Sequence, residues 1–182
     1  MVAGQYPSLY VGPRPVRGGV ALLAALAIVL LASPYFVSNT SLVVWNVTPS
    51  IPVGLYHVTH RSPRRGDLVL VALPERVRGL AGDRQYLGPK SLLIKPVAAI
   101  GGDRVCRLNS RVWISGHAVV IARAADALDR PLPTWRGCRI LSSTQIFVLS
   151  RSSDSFDSRY FGPLHVRSVV GIAAPIWTVS SD

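Results

Sequence analysis

The feature that most constrains the fold of this chain is an uncharged run of twenty residues from Gly18 to Val37, with the sequence GGVALLAALAIVLLASPYFV. As a helix, twenty residues span about 30 Å, which is the thickness of the hydrocarbon core of a bilayer. A helix buried in a protein core is a less suitable interpretation, because apolar side chains would cover all of its faces. The run therefore predicts a transmembrane anchor at 18–37, followed by a folded domain at 38–182.

A cleaved signal peptide is the main alternative for this run. Ala32 and Ser33 are small enough for a cleavage site, but Pro34 would directly follow the cut, and the apolar stretch exceeds the usual signal core. These observations favour an uncleaved, single-pass anchor.

Residues 1–17 are rich in proline and glycine, and we expect them to be disordered. Arg14 and Arg17 lie beside the apolar run, and residues 1–17 contain no acidic residue. Because flanking positive charges remain on the cytoplasmic side, the N-terminus is predicted to be cytoplasmic and residues 38–182 to lie beyond the membrane.

The net charge of +11 raises the possibility of nucleic-acid binding. However, the arginines are scattered, the longest basic run is Arg64-Arg65, and neither a helix-turn-helix pattern nor zinc-finger spacing occurs. A solvated basic surface near anionic lipid explains the charge better. The lipid bilayer is therefore a predicted partner, and nucleic acid is not.

The two cysteines, Cys106 and Cys138, are too few for a four-thiolate zinc site, and the four histidines show no metal-binding spacing. Neither a metal nor a cofactor is predicted. If the domain is exported, its compartment is oxidising, which favours a Cys106–Cys138 disulfide. Two buried free thiols are the alternative.

From Leu42 onward, short runs of β-branched residues alternate with Gly, Pro, Asn and Asp. This pattern predicts a mainly β, antiparallel domain with hairpin connections and a short helix near 74–80. The predicted strands are Leu42–Trp45, Leu55–Val58, Asp67–Ala72, Leu92–Ile100, Val119–Ala122, Ile146–Leu149 and Val166–Ala173.

Ser50 lies between Pro49 and Pro52. Proline fixes φ and removes a backbone donor, so this segment is stiff and unsuited to an internal strand. A surface serine in a Pro-rich loop is the ordinary interpretation. The alternative is a nucleophile displayed on a rigid turn, with the hydroxyl of Thr48 pointing the same way.

Lys95 interrupts an apolar run from Leu92 to Ile100. In a strand it shares one face with Leu93 and Val97, because side chains alternate. Such a lysine commonly extends its amine to water. If it is desolvated instead, its pKa falls and the neutral amine can act as a base toward a serine.

A third polar segment lies near the C-terminus, Ser155-Phe156-Asp157-Ser158-Arg159-Tyr160-Phe161-Gly162. Asp157 and Arg159 have opposite charges and alternate spacing, so they can brace a loop. A polar turn before the last strand is the simpler interpretation.

Together, and in this order, the three segments resemble the type I signal peptidase family, peptidase S26. Pro49–Pro52 is similar to its nucleophile box, Ile94–Asp103 to its lysine box, and Asp157–Gly162 to its Asp-Ser-Arg-Tyr-Trp-Gly box. The resemblance implies a membrane-anchored serine endopeptidase with a Ser-Lys dyad. It also implies one N-terminal transmembrane helix in the inner membrane and a periplasmic, antiparallel β catalytic domain.

By this resemblance, Ser50 is the nucleophile and Lys95 the general base. The oxyanion hole would consist of the Ser50 backbone N–H and the Thr48 hydroxyl, and Ser155 would orient the lysine amine. The partner would be an exported precursor polypeptide whose small side chains fit shallow pockets, to which we expect Ile51 and Val53 to contribute.

Asp157 and Arg159 match the residues that support the loop in this family. Leu149–Asp154, just upstream, departs from the family's usual Gly-Asp-Asn-x-Asp-Asn.

Pro49–Tyr56, Trp135–Cys138 and Ser155–Pro163 are similar to one branch, the TraF-type conjugative-transfer peptidases. This implies processing of the propilin of a conjugative transfer system, by hydrolysis or with cyclisation. A general signal peptidase I is one alternative, and a non-catalytic assembly component of a conjugative channel is another.

Overall fold

The computed structural model describes residues 17–36, 42–88 and 91–179, in two units, Met1–Thr40 and Ser41–Asp182. The first unit contains helix α1 (Arg17–Phe36). Among the described residues, no helix has both the length and the hydropathy needed to cross a membrane. The anchor at 18–37 stays a prediction, and the predicted disordered segment lies outside the described residues apart from Arg17.

The second unit consists mainly of short strands, and its elements follow in chain order. They are β1 (Leu42–Asn46), β2 (Gly54–Thr59), β3 (Leu68–Ala72), α2 (Glu75–Asp83), β4 (Leu92–Ala99), β5 (Arg104–Leu108), β6 (Arg111–Ile114), β7 (His117–Ile121), β8 (Gly137–Ile140), β9 (Gln145–Val148), α3 (Ser158–Phe161), β10 (Leu164–His165), a 3₁₀ turn (Val166–Ser168) and β11 (Val169–Thr178).

The strands form two sheets in which every neighbouring pair is antiparallel. The larger sheet has seven strands in the order β1-β2-β11-β3-β4-β9-β10, and the smaller has four in the order β7-β6-β5-β8. The predicted mainly β, antiparallel class is therefore confirmed.

Strand β4 lies inside the larger sheet, between β3 and β9. Leu93 and Val97 pack into one hydrophobic cluster with Val69 and Val148, whereas Ile94 packs into another. Lys95 belongs to the Leu93 and Val97 face because side chains alternate along a strand. The sheet thus places this lysine against the core.

The smaller sheet covers a further cluster that contains Val105, Val112 and Phe147. Its strands β5, β6 and β8 were not predicted from the sequence. Each is four or five residues long and carries arginine, and β8 is exposed along its whole length. Such strands lack the apolar alternation on which the prediction depended.

The last strand is longer than predicted and runs to Thr178. It pairs with both β2 and β3, and its pairing with β2 shifts register between Pro175 and Trp177. The predicted strand was Val166–Ala173, and the structure instead has a 3₁₀ turn at Val166–Ser168 and accommodates Pro175 at this irregularity of the strand.

A close backbone approach fixes the start of β2. A Cβ atom at Gly54 would lie 2.2 Å from the carbonyl oxygen of Trp177. Only glycine allows β2 to come this close to β11. The connection from β1 to β2, residues 47–53, carries Ser50 and is therefore held at its far end by this contact.

Cys106 and Cys138 face each other across β5 and β8 and form a disulfide. They are separated by 32 residues in sequence. Closing a loop of this length reduces the entropy of the unfolded chain. The bond therefore ties the exposed edge strand of the smaller sheet to the strand beside it.

We expect the double variant Cys106→Ser/Cys138→Ser to lose about 3–4 kcal/mol of unfolding free energy, from the chain-entropy cost of the open loop. Urea unfolding under oxidising conditions measures this loss. Wild-type protein in reductant should match the variant, and the variant should not respond to reductant. Equal midpoints for oxidised wild type and variant would contradict the assignment.

Candidate active site

Ser50 lies in the connection between β1 and β2, next to Pro49, and its side chain is half-buried. Its carbonyl oxygen accepts a hydrogen bond of 2.5 Å from the hydroxyl of Ser150. The tie comes from the segment that follows β9, so the backbone of Ser50 is fixed from outside its own loop. The side chain of Ser50 takes no part in this tie, and its hydroxyl is available for the contacts described next.

The amine of Lys95 reaches this hydroxyl from β4. Its Nζ lies 2.5 Å from Ser50 Oγ and 2.8 Å from Ser155 Oγ. The side chain is only 3% exposed. The Ser50 hydroxyl and a second serine hydroxyl therefore both lie within hydrogen-bonding distance of the Lys95 amine, and the lysine side chain is largely removed from water.

Burial lowers the pKa of Lys95 from its ordinary value of 10.5 to about 8. Two nearby charges act in opposite directions on the same group: Asp157 raises its pKa and Arg159 lowers it. Desolvation is the largest effect, and with a pKa of about 8 roughly a tenth of the amine is neutral at pH 7. A neutral amine at this distance can accept the hydroxyl proton of Ser50.

Asp157 and Arg159 form a fully buried ion pair, with 2.8 Å between Arg159 Nε and Asp157 Oδ1. The pair extends to Ser150, because Asp157 Oδ2 accepts from its backbone N–H at 3.0 Å and Arg159 Nη2 donates to its carbonyl at 2.5 Å. Through Ser150, the ion pair supports the carbonyl of Ser50. This bracing occurs within the segment Leu149–Asp154, which departs from the usual family sequence.

Thr48 lies beside the nucleophile, with 3.4 Å between its Oγ1 and Ser50 Oγ. The oxygen of a tetrahedral intermediate formed at Ser50 needs donors that are already in position. The Ser50 backbone N–H and the Thr48 hydroxyl are close enough to the reacting centre to supply them.

A cavity of about 350 Å³ opens beside the dyad. Its apolar wall suits a substrate side chain, and its polar end is the reactive serine and amine. The lining includes Thr48, Ser50, Leu87, Leu93, Lys95, Leu132, Ser155, Phe156 and Tyr160.

Ile51 and Val53 do not line this cavity. Ile51 is buried in the hydrophobic cluster of Tyr56 and Val58, and Val53 is half-buried, with its carbonyl bonded to the N–H of Val179. Their role in substrate binding stays a prediction, and the structure brings other apolar side chains to the serine.

The outer wall of the cavity is formed by the connection between β7 and β8, and Asp126 holds it together. Its carboxylate accepts from the Nε of Arg130 at 2.7 Å, from the backbone N–H of Leu128 at 2.9 Å and from the hydroxyl of Tyr86. Burial alone would raise the pKa of Asp126, but these hydrogen bonds outweigh it and keep the pKa well below the usual range.

Sequence reasoning missed two residues of this site, Asn46 and Ser150. Both are buried and hydrogen-bonded to the segment that carries Ser50. A single Asn at the end of a strand, or one Ser among the five in residues 150–158, gives no periodic signal. Within the described ranges, no group of three or more His, Cys, Asp or Glu side chains is arranged to bind a metal ion.

A family model described as "Signal peptidase, peptidase S26" matches residues 16–178. The probable conjugal transfer protein TraF of Sinorhizobium fredii is 32% identical over 176 residues, which cover 91% of this chain and 90% of that protein. The conjugal transfer protein TraF of Agrobacterium fabrum is 35% identical over 144 residues, which cover 73% of this chain and 81% of that protein.

A plasmid transfer protein TraF of Escherichia coli is 31% identical over 176 residues, covering 90% of this chain and 93% of that protein. The crystal structure of a signal peptidase I from Enterococcus faecalis V583 aligns with a TM-score of 0.36 at 18% identity, covering 63% of this chain and 98% of that one.

The depressed pKa of Lys95 makes stability depend on pH in a defined window. Below pH 8 the folded state carries a buried ammonium, and above 10.5 both folded and unfolded states hold a neutral amine. Relative to Lys95→Met, wild type should therefore gain about 3 kcal/mol of unfolding free energy between pH 7 and pH 11, mostly from 8 to 10.5. Urea unfolding of both proteins across this range measures the difference, and a constant difference would contradict a desolvated Lys95.

Proposed function

Because the chain belongs to the signal peptidase family, peptidase S26, and to its TraF-type branch, we propose that it is a serine endopeptidase that uses Ser50 as nucleophile and Lys95 as general base. One observation carries the assignment of the dyad: Lys95 Nζ lies 2.5 Å from Ser50 Oγ while its side chain is 3% exposed. The short distance allows a proton to pass from the Ser50 hydroxyl to Lys95, and burial lowers the pKa of the lysine so that its amine can be neutral.

In the first step, the lone pair of neutral Lys95 accepts the proton of the Ser50 hydroxyl. The serine oxygen then forms a bond to the scissile carbonyl carbon, and the carbonyl π electrons move onto its oxygen. Donors at the Ser50 backbone N–H and the Thr48 hydroxyl stabilise this oxyanion, each worth about 3–4 kcal/mol in comparable acyl-transfer sites.

In the second step, the C–N bond breaks and Lys95 returns its proton to the leaving amine, which leaves an ester on Ser50. Water then attacks the ester carbonyl carbon while Lys95 accepts a proton from it, and as the bond between carbon and Ser50 Oγ breaks, Lys95 returns that proton to Ser50 and the acid is released. An amine that attacks in place of water forms a new peptide bond. Ser155, whose Oγ lies 2.8 Å from the lysine Nζ, orients the amine throughout.

The proposed substrate is an exported precursor polypeptide, the propilin of a conjugative transfer system. Relatives of this chain bear the names conjugal transfer protein and plasmid transfer protein TraF. The apolar cavity beside Ser50 would take a side chain of the precursor near the cut.

The proposed location is the inner membrane, with residues 18–37 as a single-pass anchor in the bilayer and the catalytic domain in the periplasm. The uncharged run and the arginines that precede it, Arg14 and Arg17, support this orientation. An exported compartment also suits the disulfide between Cys106 and Cys138.

We expect Ser50→Ala, Lys95→Ala and Lys95→Arg each to abolish maturation of the co-expressed propilin, since alanine removes the reacting group and a guanidinium does not give up its proton. Intact-mass spectrometry of the pilin measures this loss. Thr48→Ser should retain activity because it keeps the hydroxyl, and Ser142→Ala, which removes an exposed serine hydroxyl bonded to Thr144, is the matched control.

Full maturation by Ser50→Ala or Lys95→Ala would refute the dyad. A pilin mass that does not depend on this protein at all would favour the non-catalytic assembly component. Accumulation of many uncleaved secreted proteins in the variants would favour a general signal peptidase I.

A further inference from the structure

We propose that Asn46 is a positioning residue of this active site, which acts on catalysis through Thr48 and the loop that carries Ser50. The inference rests on the proposed protease function. It arises from a buried polar side chain for which the mechanism above has no role.

Asn46 is the last residue of β1 and pairs with Gly54, the first residue of β2. It therefore closes the base of the loop 47–53. Its side chain is 6% exposed. Because a buried carboxamide is costly unless its donors and acceptor are paired, its hydrogen bonds show what it holds in place.

Three of the five hydrogen bonds of this carboxamide go to Thr48. Asn46 Oδ1 accepts from the Thr48 backbone N–H at 3.2 Å and from Thr48 Oγ1 at 2.9 Å, and Asn46 Nδ2 donates to the Thr48 carbonyl at 2.8 Å. The backbone and the hydroxyl of Thr48 are thus held by one side chain.

The remaining two bonds lie beyond the nucleophile. Asn46 Nδ2 donates to the carbonyl of Pro52 at 3.1 Å and to that of Ile51 at 3.4 Å. One carboxamide therefore ties chain on both sides of Ser50. The pattern needs an acceptor and a donor in the same group, which Asn has and Asp, Ser or Leu of similar size does not provide in this geometry.

These contacts set the state of the Thr48 hydroxyl before reaction. Its single hydrogen points at Asn46 Oδ1, with Oγ1 held 3.4 Å from Ser50 Oγ. When negative charge develops on the substrate, the hydroxyl can turn toward it, and Oδ1 keeps the Thr48 N–H as a partner. The bond between the Thr48 hydroxyl and Asn46 is given up in that step, but the two bonds from Asn46 to the Thr48 backbone remain and keep Oγ1 in place. Asn46 therefore helps to position a donor that acts on the transition state, and it should affect kcat rather than KM.

The test uses the p-nitrophenyl ester of N-acetyl-alanine as the probe, because its acyl group reports attack by Ser50 without the natural precursor. The burst rate at saturating ester and KM are measured for wild type, Asn46→Ala, Thr48→Val and the double variant. We expect losses in burst rate of about 10²-fold for Thr48→Val and about 10-fold for Asn46→Ala, with KM changed by no more than about threefold. If Asn46 acts through Thr48, the double variant loses much less than the product of the two single losses.

Tyr56→Phe is the matched control. The Tyr56 hydroxyl donates to the same Pro52 carbonyl at 2.7 Å but makes no hydrogen bond to Thr48. We expect loss of this hydroxyl to lower the thermal midpoint, as we expect for Asn46→Ala. The burst rate should remain within about twofold of wild type because, of these two side chains, Asn46 alone bonds to the Thr48 hydroxyl.

A wild-type burst rate in Asn46→Ala would overturn the inference. Equal slowing by Tyr56→Phe and Asn46→Ala would also overturn it, since general loosening of the loop would then explain both. Losses that multiply in the double variant would show that Asn46 does not act through Thr48. If wild type shows no burst above Ser50→Ala, the proposed function fails, and this inference fails with it.

Discussion

The desolvation of Lys95 is the constraint on which the rest of this structure depends. A lysine amine that faced water would keep its proton and could not accept another from Ser50. Lys95 is removed from water because strand β4 lies inside the larger sheet, where Leu93 and Val97 occupy the same face as the lysine and pack into the core. The burial destabilises the fold while the amine is charged, and the surrounding apolar clusters must offset that. A functional group is thus maintained at the expense of stability, as is common at active sites.

The ion pair of Asp157 and Arg159 explains how a charged brace can lie beside this amine without fixing its proton. A lone carboxylate would raise the pKa of Lys95, and a lone guanidinium would lower it; both influences are present and opposed. Burial therefore remains the dominant influence on the lysine. The ion pair has a structural role instead. It hydrogen-bonds to the backbone of Ser150, and the Ser150 hydroxyl in turn bonds to the carbonyl of Ser50.

The parts of this site that the sequence predicted are those with a distinctive local pattern. Ser50 between two prolines and Lys95 inside an apolar strand each stand out from their surroundings, but their roles were predicted only through the resemblance to the signal peptidase family. The antiparallel class followed from short β-branched runs. Asn46 and Ser150 do not stand out from their local sequence. They matter through hydrogen bonds that form only when β1, β2 and the segment beyond β9 come together in the fold. Strands β5, β6 and β8 of the smaller sheet were missed for a different reason, because arginine occupies positions where an apolar alternation was required. The resemblance placed Ile51 near the substrate, whereas the structure packs its side chain into the hydrophobic cluster of Tyr56 and Val58.

The two members of the proposed dyad are positioned by different means, the lysine by a sheet and the serine by a loop. Lys95 is held by the ladders of β3 and β9 on either side, so its backbone position is fixed by the sheet itself. Ser50 lies in a loop of the edge strand β1 and has no ladder of its own. A displacement of about 1 Å in such a loop is enough to lower the rate of attack by orders of magnitude. The loop is therefore held by side-chain hydrogen bonds in place of a ladder: the Asn46 carboxamide bonds to the backbone of Thr48, and the Ser150 hydroxyl bonds to the carbonyl of Ser50. Polar side chains that take no part in the proposed chemistry thus hold Ser50 in place, as the sheet holds Lys95.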